Sequence, residues 1–273
     1  MDERVATAGS IFLIFMTYCL GIHVRHGVLL AADSRTNAGV DYISSYRKLF
    51  DYSVAGDRAL ILCTSGNLSI TQSVLHTIDR DLIVNAEVNL HNLPTMYDVA
   101  RYIGQCIRSL QEIDRPWLQK DKIDFQCSFL LGGQVRGEAP QLYQIYSQGN
   151  CIKSTPETPF LQIGETKYGK PILDRTLTYE SNIEDVAKYA LLSIDSTMRS
   201  NLSVGPPINL ILYQTNSFEI RHKARFFAGD PYLIKMRKHW EVALREAAAN
   251  MPTIEWNLTA IPDGPDLTDI SEP

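Results

Sequence analysis

Short apolar runs broken by tight turns dominate the early part of the chain, and they restrict it to antiparallel sheet. The runs are TYCLGIHV from Thr17, GVLLAAD from Gly27, KLFDYSV from Lys48 and ALILCTS from Ala59, with glycine- or aspartate-containing turns between them. A second block of strands follows in DFQCSFLLGG, PQLYQIYSQG and CIKSTPETPFLQIG, each bounded by glycine or proline. Between the blocks, residues 69–89 and 95–114 place apolar side chains at helical spacing, and Thr95 with Asp98 suits a capped start. Residues 183–199 read as a third helix, 208–216 and 217–227 as strands, and 231–250 as a last helix. This order predicts an α+β fold in which two antiparallel sheets stack face to face with helices outside, a four-layer αββα sandwich.

No proline, glycine or serine tract divides the middle of the 273 residues, which predicts one domain over 17–250. Residues 1–16 read as a leader or an over-extended start, and residues 251–273 as an acidic, proline-rich tail that is mobile or docked on a partner. A net charge of −5 argues against a nucleic-acid partner, since proteins that neutralise phosphates carry a concentrated basic face. Five cysteines are scattered without CxxC spacing and read as reduced packing residues of a cytoplasmic protein. The apolar stretch IFLIFMTYCLGI has 12 residues, whereas a membrane helix needs roughly 20. MDERVATAGS carries acidic residues where a secretory signal would be basic, so neither membrane nor export is expected.

The common catalytic motifs are missing. There is no GxxxxGK[ST], GxGxxG, HExxH or GxSxG, and the six histidines never fall at metal-ligand spacing, so no cofactor and no metal are expected. What remains is Thr17. If Met16 is the true initiator and is trimmed, Thr17 gains a free α-amine with a reference pKa of about 7.7 to 8.0, partly neutral near neutral pH. That amine can take the proton of its own side-chain hydroxyl, an arrangement that activates an otherwise poor nucleophile. A nearby ammonium would keep the amine neutral, and Lys48 can supply it with Asp33 as the lysine's partner. Gly66 in CTSGN would let a backbone N–H approach the oxyanion of an acyl-transfer step. Each residue also has a plain structural reading: Thr17 as a strand former, Asp33 as a turn cap, Lys48 as a surface charge and Gly66 as a turn glycine.

RHGVLLAADSRTNAG, RKLF and CTSGN resemble the start of a proteasome-type β subunit, and the likeness continues more weakly through LLGG, YSQGN and IGE to about residue 215. MTYCLG, SGNLSITQ, IGETKYGKPIL and DSTMRSNLSVG most resemble the bacterial ancestral β-subunit group, Anbu, a relative of HslV. The resemblance implies an N-terminal nucleophile hydrolase fold, self-association into an open ring or helical assembly, and threonine peptidase chemistry on peptides or unfolded chains, with an unidentified unfoldase as a candidate partner. It makes Thr17 the nucleophile, Asp33 and Lys48 the charged pair, Gly66 the oxyanion glycine and Asp195 a late supporting aspartate. Ser200 and Ser203 both fit the companion serine, and Ser203 is preferred because a glycine lies just beyond it. Thr36, Asn37, Ala38 and Thr64 match positions lining the substrate pocket, although SRTNAG can equally form a turn and an edge for an extended peptide. Glu165 stands where many relatives have serine; there it can hold the terminal ammonium and slow turnover. A small-molecule or modified-peptide amidohydrolase and a non-catalytic assembly scaffold are the competing functions.

Overall fold

The structure is a computed structural model that describes residues 17–37 and 43–254; the expected leader, Ala38 and the tail from residue 255 onward lie outside the described residues. In chain order its elements are β1 (Tyr18–Val24), β2 (Gly27–Ala32), β3 (Arg35–Asn37), β4 (Ile43–Ser45), β5 (Leu49–Asp51), β6 (Arg58–Gly66), α1 (Leu68–Ile83) and α2 (Met96–Lys120). Then come β7 (Cys127–Val135), β8 (Gln141–Ile145), β9 (Cys151–Lys153), β10 (Phe160–Gly164), α3 (Lys170–Thr176), α4 (Ile183–Ser200), β11 (Ile208–Gln214), β12 (His222–Phe226) and α5 (Pro231–Ala249).

One five-stranded sheet has the order β10-β1-β2-β11-β12 and the other β5-β6-β7-β8-β9, with every neighbouring pair antiparallel. Strand alternation distributes the apolar residues among three layers. Cys19, Val28, Leu30, Ile61, Leu130 and Leu142 meet between the sheets. Leu20, Ile22 and Leu29, one residue out of phase, face Leu173 of α3 and Val186, Ala190 and Ile194 of α4. On the far side Leu60, Leu62 and Phe129 pack against Ile70 and Val74 of α1 and Ile103 of α2. The strand GVLLAA is therefore buried at every position, because both of its faces are covered. This is the αββα sandwich.

Several boundaries differ from the sequence expectation for local reasons. The first helix stops at Ile83, because Asn85 adopts a positive φ of 48° that ends the helical path. The second continues past residue 114 to Lys120; Pro116 lies inside it on an exposed face, where one missing N–H is tolerated. CIKSTPETPFLQIG divides into β9 and β10, which belong to different sheets. Residues 217–227 shrink to β12 because Phe218 sits at φ 46°. The short α3 and the small β3–β4 pair were not anticipated.

His23 on β1 shows what the sandwich does to a titratable group. Its ring lies edge-on to Tyr179 with centroids 5.4 Å apart, and Nδ1 is 3.1 Å from Ser154 Oγ. Burial, aided by the Lys153 charge, pushes its pKa down to about 4. The unfolded chain therefore takes up a proton near pH 6.5 that the folded chain refuses until about pH 4, so stability falls as pH drops through that window. Urea unfolding at pH 7 and pH 5 should differ by about 2 kcal/mol from this group. His23→Gln should remove that component of the difference; an unchanged pH dependence would show that His23 is not its source.

Candidate active site

The ends of β1 and β2 and the segment leading into β5 converge on one buried cluster. Thr17, Asp33 and Lys48 are 5%, 0% and 6% exposed. Pairing explains the convergence: β1 and β2 form a hairpin with Cys19 opposite Ala32, so their residues 17 and 33 extend past the same sheet end. Lys48 arrives from the other sheet, where its carbonyl accepts from Thr64 N at 3.0 Å and Leu49 pairs with Cys63.

Within the cluster Thr17 Oγ1 donates to Asp33 Oδ1 at 2.5 Å. Lys48 Nζ has three N–H bonds and places them on Thr17 Oγ1, on Asp33 Oδ1 at 2.8 Å and on the Arg35 carbonyl at 2.6 Å. Asp33 Oδ1 also accepts from Tyr18 N at 3.1 Å, while Oδ2 accepts from the N–H groups of Arg35 and Gly205, each at 3.1 Å. Three backbone donors, a hydroxyl and an ammonium thus surround one carboxylate. Such charge-assisted bonds hold the threonine hydroxyl against a fixed cation in a nearly water-free setting.

The hydroxyl opens onto a pocket whose wall includes Thr36, Tyr46, Thr64, Gly66 and Thr71. Gly66 has a φ of +103°, and a Cβ there would come within 2.3 Å of Gln126 O, so only glycine suits the position. Thr36 Oγ1 is buried without a hydrogen-bond partner among the described residues, an unmet polar atom on the pocket rim. Asn37 lies in β3 by its backbone. Opposite Thr17, Glu165 N donates to Thr17 O at 2.6 Å, and Gly164 has no space for a side chain, since a Cβ would lie 2.0 Å from Thr17 O.

The structure places the other sequence-predicted residues elsewhere or at one remove. Asp195 is buried on α4, where its Oδ1 accepts from Arg237 Nε at 2.8 Å and from Nη2, bracing α4 against α5. Ser200 ends α4 and is exposed. Ser203 donates its backbone N–H to Asn201 Oδ1 at 2.9 Å, and Asn201 Nδ2 reaches Glu165 Oε2 at 3.2 Å. Reading the sequence missed the Arg35 carbonyl, the Gly205 N–H and Asn201. Only Gly205 carried a signal, as the glycine of SVGPP; a backbone carbonyl has none. Among the described residues no cluster of histidine, cysteine or acidic side chains could hold a metal ion. No helix among them is long and apolar enough to cross a membrane.

Residues 17–211 match the family model described as proteasome subunit. Among solved structures, "Anbu (ancestral beta-subunit) from Yersinia bercovieri" is 41% identical with a TM-score of 0.82, over 88% of this chain and 99% of that one. "Helical Assembly of the Anbu Complex from Pseudomonas aeruginosa" is 41% identical with a TM-score of 0.84, over 89% and 100%. Anbu from Hyphomicrobium sp. strain MC1 is 42% identical with a TM-score of 0.80, over 88% and 100%. No curated protein matches the chain.

Proposed function

Because the chain belongs to the proteasome subunit family, we propose that it is a threonine peptidase whose hydrolase domain starts at Thr17. The observation that carries this reading is the shared engagement of one buried threonine hydroxyl by Asp33 and Lys48 at the mouth of a pocket. Lys48 spends one of its three donors on the threonine hydroxyl although Asp33 and the Arg35 carbonyl already hold it, which suits a cation that stabilises negative charge on that oxygen.

In this mechanism Thr17 Oγ attacks a peptide carbonyl carbon and its proton passes to the freed α-amine of the same residue. The Lys48 ammonium stabilises the developing alkoxide, and the Gly66 backbone faces the tetrahedral oxyanion. Collapse returns the proton to the leaving amine and leaves an ester on Thr17; water then adds by the same route and releases the acid. Thr36 and Thr64 line the path of an extended substrate, with Thr36 Oγ1 as a donor or acceptor for its backbone. Asp195 and Ser203 act at one remove, holding α4 and the following loop that delivers Gly205 to Asp33.

Self-association fits the helical assembly of the Anbu complex from Pseudomonas aeruginosa, and peptides or unfolded chains, delivered with or without an unfoldase, fit a site buried in such an assembly. Five unpaired thiols suit a reducing compartment such as the cytoplasm. The test is covalent capture: protein made with Met16 as its first residue should show by intact mass a Thr17 terminus and, with a peptide epoxyketone or boronate, one adduct localised to Thr17. A free Thr17 terminus that forms no adduct would refute peptidase chemistry and favour a scaffold.

A further inference from the structure

Three carboxylates are buried among the described residues: Asp33, Glu165 and Asp195. Two have cations. Asp33 pairs with Lys48, and Asp195 with Arg237. Glu165, 6% exposed, forms no ion pair among the described residues; its Oε1 accepts from Lys167 N at 3.0 Å and its Oε2 from Asn201 Nδ2 at 3.2 Å. A buried carboxylate without a counter-ion is a costly arrangement that native structures seldom keep without a reason.

The strand register says where its cation belongs. Tyr18 opposes Gly164 and Cys19 opposes Ile163, so the next pair outward is Thr17 opposite Glu165, joined by the Glu165 N–H to Thr17 O bond. Gly164, at a φ of +87°, ends the strand alternation there, and the Glu165 side chain turns to Asn201 at the end of α4, beside the strand end that carries Thr17. The group that appears there when the chain is freed at residue 17 is an α-ammonium.

We infer that Glu165 is the counter-ion of the Thr17 α-ammonium and holds the site in a protonated resting form that is relieved as pH rises, with Asn201 as the residue that positions the carboxylate. The inference rests on the reading of Thr17 as a freed terminus. The other charges around the amine are Asp33 and Arg35 from the β2–β3 strands, Lys48 before β5 and Lys167 beyond Glu165. The Tyr18 phenol, pushed up to about 12 chiefly by burial, stays neutral. Lys48 lowers the amine's proton affinity while Glu165 and Asp33 raise it, so removing the Glu165 charge moves the balance toward the neutral, base-competent amine. The same loop is tied to Asp33: Asn201 Oδ1 accepts from Ser203 N, and Gly205 N donates to Asp33 Oδ2. The carboxylate's position is thereby coupled to the nucleophile's own partner.

The test separates the amine's proton affinity from turnover. Protein beginning at Thr17 is treated with trace acetic anhydride across pH 5 to 10, and acetylation of the Thr17 amine is followed by mass spectrometry; epoxyketone inactivation rates are taken over the same range. Glu165→Gln should shift the amine's titration to lower pH by about one unit, and the ascending limb of inactivation with it, raising the rate at pH 7 roughly fivefold to tenfold. At pH 10 the two proteins should converge. Asn201→Ala should shift in the same direction by less, while Glu165→Asp, which keeps the charge, should stay near the parent and guards against a folding artefact. An amine titration unmoved by Glu165→Gln, or moved to higher pH, overturns the inference. If the titration moves but no protein reacts with the epoxyketone, the counter-ion stands and the peptidase reading falls.

Discussion

Lys48→Met should reduce epoxyketone inactivation of Thr17 by about a thousandfold, the largest kinetic loss expected of any residue beside the nucleophile. Three bonds disappear together, to Thr17 Oγ1, Asp33 Oδ1 and the Arg35 carbonyl. The threonine alkoxide then forms without a cation, and the buried Asp33 carboxylate loses its counter-ion. Breaking a buried pair by removing one partner costs about 3–5 kcal/mol, so urea unfolding should report a loss of that order. The two effects come apart in the double variant Asp33→Asn/Lys48→Met. Asparagine is uncharged, and with its carbonyl oxygen at the Oδ2 position it still accepts from Arg35 N and Gly205 N and gives up only the bond from Tyr18 N, so stability should recover by more than additivity predicts while inactivation stays lost. A double variant that regained reactivity would mean Lys48 is only a structural partner of Asp33.

The sequence carried the Thr17–Asp33–Lys48 cluster better than it carried the frame around it. Thr17 and Asp33 stand at the ends of strongly apolar strands that pair as a hairpin, which brings them together without knowledge of the long-range fold, whereas Lys48 reaches them only because the second sheet stacks on the first. The same argument fails for Asp195, on a helix whose partner is set by how α5 packs over α4. Nothing in SIDS says that Arg237, 42 residues later, will claim that carboxylate. Two boundaries were hidden for another reason. Pro116 has the look of a helix stop that an exposed face overrides, and STPETP joins strands of different sheets although its composition is that of an ordinary turn. Glu165 was visible as an odd residue at a known position, but its lack of a cation among the described residues emerges only from its burial and from the ion pairs of Asp33 and Asp195.

Gly66→Ala is the second large effect, and it tests whether the pocket wall does chemistry. The position combines a φ of +103° with a backbone oxygen, Gln126 O, only 2.3 Å from where a Cβ would stand, and Cys127 Cα at 2.9 Å. Neither obstacle is the end of a flexible side chain, so β6 must part from β7 at its last pair, Gly66 with Cys127. Strain and overpacking together should cost about 2–4 kcal/mol in urea unfolding. A purely structural glycine would stop there. If its backbone faces the oxyanion, inactivation should also fall by a factor of about 10² to 10³, because the donor moves with the strand end. Val74→Ala, a fully buried truncation in α1 on the far side of the second sheet, should cost a comparable ~2–3 kcal/mol and leave inactivation within about twofold, since a cavity the size of two methyl groups there touches no reacting atom. Equal kinetic losses in the two variants would assign the Gly66 effect to stability alone; a loss confined to Gly66→Ala places the oxyanion against the turn that follows β6.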